Sequence, residues 1–134
     1  MEKKDLKPTG VFKYFEEICQ VPRPSKKEEK MIAYLKVFGA KHNLETKVDE
    51  AGNVLIKKPA TPGKENLQTV VLQSHIDMVC EKNNDVQHDF LTDPIETEID
   101  GEWLKAKGTT LGADNGIGVA TELAILADDS IEHG

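Results

Sequence analysis

Apolar residues recur at helical spacing in the first part of the chain. A helix is predicted over residues 8–20, where Pro8 suits the first turn and VPRP (21–24) ends the pattern, because a proline disfavours helical angles in the residue before it. A second helix is predicted from Ser25, which has Glu28 three residues later as in a capping box, to a left-handed stop at Asn43. Each helix has an apolar stripe that predicts one buried face: Val11, Phe15, Ile18 and Cys19 in the first, and Met31 or Ile32, Leu35 and Phe38 in the second.

Two pairs of strand patterns follow. Residues 44–48 and 53–58 flank the turn sequence DEAGN, so they predict an antiparallel hairpin. Residues 95–100 and 103–106 flank Gly101 and predict a second hairpin, with Trp103 in its core.

The remaining pattern completes an α/β arrangement. Residues 69–72 are apolar and β-branched without alternation, which predicts a strand buried on both faces. A glycine-rich loop over 108–118 leads into a helix predicted over 117–126. We therefore expect an α/β fold with a mixed sheet and flanking helices, and we find no boundary that divides residues 1–134. So few strands would leave an edge or a face of the sheet open, and we expect the chain to be a fragment of a larger protein.

Composition narrows the class of protein. A chain of 134 residues with 38% hydrophobic and 31% charged residues is typical of one soluble globular domain. The net charge of −7 argues against nucleic acid or an anionic membrane as the main partner. No apolar run is long enough to span a bilayer and the N-terminus lacks the apolar core of a signal peptide, so we expect a cytoplasmic protein. Cys19 and Cys80 are far apart and form no CxxC pair, which argues against a disulfide framework.

The first candidate for chemistry is His75-Ile76-Asp77, in VVLQSHIDMV (70–79). If the predicted strand continues through this point, His75 and Asp77 project to the same face, at the end of the strand where α/β sheets gather ligand sites. A metal-binding imidazole usually donates its other N–H to a carboxylate, and Asp77 has the position for that role. Taken alone, so short a pattern favours the alternative of a polar strand end whose histidine caps backbone groups.

The second candidate is Asp114, in GTTLGADNGIGVA (108–120), directly before a helix. Glycines allow a tight turn that presents one side chain, and the helix N-terminus favours an ionised carboxylate that can bind a cation. A nucleotide-phosphate loop is excluded because no G-K-[ST] follows. A helix N-cap by Asp114 or Asn115 explains the local sequence equally well.

Histidine and carboxylate side chains together are ligands for zinc or manganese, and a carboxylate can bridge two ions that serve hydrolysis. Such a site needs further ligands and a general base, for which the sequence offers no convincing candidates. His42, His88 and His133 are expected to be helix-end, structural and exposed terminal residues, respectively, and Cys80 a small buried thiol.

Three stretches strongly resemble the aminoacyl-histidine dipeptidases, a branch of the M20 metallopeptidases: VVLQSHIDMVCEKNND, HDFLTDPI and IDGEWLKAKGTTLGADNGIGVA. The upstream segments PRPSKKEEK and DEAGNVLIKKPAT match as well, so the resemblance covers nearly all of the chain. H-I-D-M-V joined to T-L-G-A-D-N-G-I-G is much more specific than either motif alone.

The resemblance implies roles for individual residues. His75 would be a ligand of one zinc ion, and Asp77 would be its partner in the catalytic site. Asp114 would bridge two zinc ions, for which manganese or cobalt could substitute. The resemblance also implies a cis peptide bond between Asp114 and Asn115.

The function implied is hydrolysis of Xaa-His dipeptides by a cytoplasmic homodimer. The family's general-base glutamate, its remaining ligands and its lid and dimerisation domain have no counterpart in residues 1–134. We therefore expect the N-terminal portion of a catalytic domain that is inactive by itself. Two alternatives stay open: a different M20 exopeptidase, such as a tripeptidase or a carboxypeptidase-like enzyme, and a non-catalytic module that retains the fold.

Overall fold

Three α-helices and two β-hairpins make up the regular structure in this computed structural model, which describes residues 1–134. A short 3-10 helix, Lys3–Asp5, comes first. The other elements are α1 (Thr9–Cys19), α2 (Glu29–Lys41), β1 (Glu45–Val48), β2 (Val54–Lys57), β3 (Thr97–Asp100), β4 (Trp103–Ala106) and α3 (Ala113–Ala127).

The core forms where α1 packs against α3, with α2 beside α1. Each helix buries the face that its apolar residues define; the buried residues are Tyr14, Phe15, Ile18 and Cys19 of α1, Met31, Leu35 and Phe38 of α2, and Val119, Ala120 and Leu123 of α3. Fully burying a large apolar side chain stabilises a fold by about 1.5–3 kcal/mol, so these three faces are the main source of stability. The helices predicted over 8–20 and 117–126 are confirmed, although α3 begins earlier than expected.

The start of α2 differs from the prediction. The capping box of Ser25 and Glu28 does not form, and the helix begins at Glu29. The Ser25 hydroxyl donates instead to the carboxylate of Asp77, and the Glu28 carboxylate accepts the N–H of Lys26 at 2.8 Å. A charged acceptor from a distant segment therefore outcompetes the local cap. The left-handed stop at Asn43 is confirmed by its φ of 55°.

Both predicted hairpins are confirmed. β1 pairs with β2 in antiparallel register from Glu45↔Lys57 to Val48↔Val54, and β3 pairs with β4 in the same way. Trp103 is 77% exposed, so its predicted place in a hairpin core is wrong.

The α/β class is confirmed, but the strands form two separate two-stranded sheets and no mixed sheet. The predicted strand at 69–72 is absent: Val70 and Val71 are 76% and 79% exposed, and Leu72 is also exposed. A strand buried on both faces needs partners at its edges and layers above and below it. Residues 1–134 place no strand beside this segment, so its apolar side chains stay in solvent.

No helix in the structure is both long and apolar enough to cross a membrane. Cys19 and Cys80 are both free thiols; Cys19 is buried, whereas Cys80, which was expected to be buried, is only partly so.

Candidate metal centre

His75 lies three residues after the exposed apolar segment 69–72. Its Nδ1 atom is 3.0 Å from Oδ1 of Asp77, so the predicted pair of side chains is in contact. The backbone is held in place at Met78, directly after Asp77, because the N–H of Met78 donates to the carbonyl of Arg23 at 3.0 Å.

Asp114 reaches the same imidazole from the other side. Its Oδ1 atom is 3.0 Å from Nε2 of His75, although the two residues are 39 positions apart. Gly112 at φ +76° leads into the turn, and Asp114 and Asn115 have non-helical dihedral angles and share the expected cis peptide bond. Asn115 accepts the N–H of Gly118 at 3.1 Å, so Asn115 is the residue that caps the regular part of α3. The Asp114 side chain, 96% exposed, remains free of a capping role.

The imidazole of His75 therefore lies between two carboxylates. The hydrogen bond with Asp114 is the main cause that raises the pKa of His75, and the contacts with Asp77 add to it. Both ring nitrogens donate when the imidazole is protonated, so the metal-free arrangement suits a proton on each. The Ser25 hydroxyl is the main cause that lowers the pKa of Asp77, followed by His75. Two carboxylates around one histidine make the position between Nε2 and Asp114 favourable for a cation.

The residues fit one side of a zinc site. Two ligands of a tetrahedral zinc ion lie about 3.3–3.6 Å apart, given metal–ligand distances of about 2.0–2.2 Å. The Nε2–Oδ1 separation of 3.0 Å is shorter than that range by about 0.3–0.6 Å, so a small outward shift of the two side chains would admit the ion. The fit is incomplete, because nowhere in residues 1–134 do three or more His, Cys, Asp or Glu side chains form a cluster able to hold a metal ion.

Two residues that support this arrangement were missed by sequence reasoning. Ser25 was interpreted as a helix cap, yet it binds Asp77. Arg23 was passed over within a proline-containing break, yet its guanidinium donates to carbonyl oxygens of both segments that carry the site. No local pattern identifies such contacts, because their acceptors lie more than 50 residues away.

The other histidines do not join the cluster. His42 stacks on Phe38 with ring centroids 4.4 Å apart, at the end of α2. His88 packs against Phe90, and its Nε2 atom is buried without a hydrogen-bond partner. His133 is partly buried rather than exposed, and its backbone N–H donates to Thr61 Oγ1 at 2.9 Å.

The chain is similar in sequence and structure to known dipeptidases. No family model matches the chain. The cytosol non-specific dipeptidase of Escherichia coli (strain K12) is 51% identical over 133 residues, which are 99% of this chain and 27% of that protein. The crystal structure of aminoacylhistidine dipeptidase from Vibrio alginolyticus superposes with a TM-score of 0.96 and 53% identity, covering 100% of this chain and 27% of that one.

A tripeptidase from Staphylococcus aureus subsp. aureus Mu50 superposes with a TM-score of 0.74 over 93% of this chain and 34% of its own. At 22% identity this likeness shows the fold alone. The chain spans about a quarter of the length of the two dipeptidases that it matches. The resemblance carried by its motifs is therefore confirmed: over its whole length the chain is similar to part of the aminoacylhistidine and cytosol non-specific dipeptidases.

Proposed function

We propose that this chain forms one side of the active site of a zinc-dependent dipeptidase of the M20 family. The observation that carries the proposal is the contact of His75 Nε2 with Asp114 Oδ1 at 3.0 Å, with Asp77 on the opposite ring nitrogen. The identity of 51% and 53% with two dipeptidases over almost every residue supports it.

Each of the three side chains has a distinct task in this proposal. Asp77 accepts the Nδ1 proton of His75, which holds the ring in the tautomer whose Nε2 lone pair can bind a metal ion. Asp114 presents Oδ1 beside that nitrogen, while its other oxygen, on an exposed side chain, is available to a second ion. Bound zinc would supply Lewis acidity that polarises a peptide carbonyl and acidifies water near neutral pH. Manganese or cobalt can bind the same ligand types.

The remaining ligands and the general base are assigned to parts of the longer protein outside residues 1–134. Two ligands are fewer than the three or four protein ligands of zinc sites, so the 134-residue chain should bind zinc weakly and should not hydrolyse peptides. We further propose Xaa-His dipeptides as the preferred substrates, a cytoplasmic location, and a homodimer formed through a domain outside these residues.

The proposal is tested with the full-length protein that contains this chain. Hydrolysis of Xaa-His dipeptides, other dipeptides and tripeptides is measured side by side, before and after a chelator and after zinc is restored. We expect dipeptide hydrolysis to require the metal and to be lost in His75→Ala and Asp114→Ala. His42→Ala, which removes a histidine at the end of α2, is the matched control and should stay active. Activity that survives both the chelator and His75→Ala would overturn the proposal.

The same assay separates the alternatives. Faster hydrolysis of tripeptides than of dipeptides would indicate a different M20 exopeptidase. Absence of hydrolysis together with absence of zinc binding would indicate a non-catalytic module.

A further inference from the structure

Arg23, the only arginine of the sequence, is buried with 2% of its surface exposed. Its guanidinium donates to backbone carbonyls rather than to a carboxylate. A buried charge costs free energy unless hydrogen bonds satisfy it, so the position of Arg23 is tied to the acceptors it finds. Those acceptors identify what the residue holds in place.

The acceptors belong to both segments that carry the candidate metal ligands. Nη2 of Arg23 donates to the carbonyl of Gly112 at 2.8 Å, two residues before Asp114. Nη1 donates to the carbonyl of Ile76 at 3.3 Å, directly after His75, and lies 3.5 Å from the next carbonyl. One planar group therefore bridges the backbone beside His75 and the backbone beside Asp114.

The turn before α3 is shaped around this guanidinium. A β-carbon at Gly112 or at Gly116 would lie 2.6 Å from Nη2 of Arg23, closer than real β-carbons approach other atoms. Glycine at these two positions leaves the space that the guanidinium fills. The main chain of the arginine is fixed too, because its carbonyl accepts the N–H of Met78 and the neighbouring Pro24 forms a parallel bridge with Met78.

We propose that Arg23 is the positioning residue that sets the separation between His75 and Asp114, and thereby the affinity of the site for a divalent metal ion. The proposal rests on the metal site proposed above. An arginine is required because its fork has donors on two nitrogens in a fixed plane, whereas lysine offers one flexible ammonium. Arg23 touches neither ligand side chain, so it acts through the backbone that presents them.

The test measures zinc binding and site geometry in the full-length protein. Arg23→Lys keeps the charge but loses the fork. Arg23→Gln keeps one amide donor and removes the buried charge, so this second variant does not have to bury a lone ammonium. Leu35→Ala is the control, since it removes core volume from α2. We expect both Arg23 variants to bind zinc at least tenfold more weakly, as measured by calorimetry with zinc alone, because disturbing groups that orient ligands costs about 10–100-fold in affinity. Leu35→Ala should lower the unfolding temperature without changing zinc affinity.

A second measurement needs no metal. In crystals of the zinc-free Arg23→Gln variant we expect the Nε2–Oδ1 separation of His75 and Asp114 to exceed hydrogen-bond distance, whereas the zinc-free parent should keep the 3.0 Å seen in residues 1–134. Wild-type zinc affinity in the two Arg23 variants, or an equal loss in Leu35→Ala, would overturn the positioning role. If the parent binds no zinc while the separation still widens in Arg23→Gln, the metal site fails and the positioning of the two side chains by Arg23 stands.

Discussion

Gly112 offers a direct test of how tightly the turn before α3 encloses Arg23. Replacing Gly112 with alanine has two separable costs. The backbone at φ +76° is left-handed, which costs an L residue about 1–2 kcal/mol. The new β-carbon would also lie 2.6 Å from Nη2 of Arg23 and 2.8 Å from the sulfur of Met78. Overpacking of this kind costs about 1–3 kcal/mol, so the total loss should be about 2–5 kcal/mol.

Gly101→Ala separates the cost of the left-handed backbone from the cost of overpacking. Gly101 has a similar φ of +61°, and a β-carbon there would meet nothing within 4 Å. This control should therefore lose only the backbone cost of about 1–2 kcal/mol. The free energy of unfolding is measured for both variants by urea denaturation followed by circular dichroism, with the slopes compared to confirm the same transition. Equal losses in the two variants would refute the close packing of Arg23 against the turn.

Three further predictions concern the contacts of His75 and Asp77 and the exposed segment 69–72. Asp114→Asn should lower the raised pKa of His75 in the metal-free protein, as followed by proton–nitrogen NMR; an unchanged pKa would contradict the contact. Because the folded-state pKa is the raised one, this contact stabilises the chain below the unfolded value of about 6.5 and is lost as the pH rises through the folded-state pKa. His75 is 52% exposed, so solvent screening limits that contribution to about 1 kcal/mol at most. Ser25→Ala should raise the lowered pKa of Asp77 and weaken zinc binding about tenfold in calorimetry, and unchanged affinity would rule out a supporting role. In the 134-residue chain, Val71→Thr should change the free energy of unfolding by no more than about 0.5 kcal/mol in urea, since Val71 is 79% exposed there; a larger loss would mean that it is packed.

The accuracy of the sequence predictions depends on how local the determining interactions are. The hairpins depend on turn residues such as Gly101 and on short-range pairing, and both were predicted with nearly correct bounds. The strand at 69–72 depends on neighbours that the sequence pattern cannot supply. Its apolar composition predicts burial, but burial requires a second surface, and none lies against it in residues 1–134.

The candidate site shows the same distinction. His75 and Asp77 are two positions apart, so a contact between them follows from their spacing once the chain is extended. The approach of Asp114 was implied only by the resemblance to a family, because no local pattern relates residues 39 positions apart. Arg23 was not found at all, since a buried arginine that serves backbone carbonyls has no signature in its own neighbourhood.

The absence of a strand at 69–72 helps to identify what holds the site together. The apolar half of residues 70–79 is exposed and makes no sheet hydrogen bonds, yet His75 remains in contact with both Asp77 and Asp114. The contacts that fix them come from the other side, where the main chain of Arg23 binds Met78 and its guanidinium binds the turn at Gly112. Within residues 1–134, the spacing of the candidate ligands therefore depends on hydrogen bonds between loops and not on the sheet that the apolar pattern predicted. In the 134-residue chain, substitutions on the exposed face should leave the separation of His75 and Asp114 unchanged, whereas substitutions that disturb Arg23 should widen it.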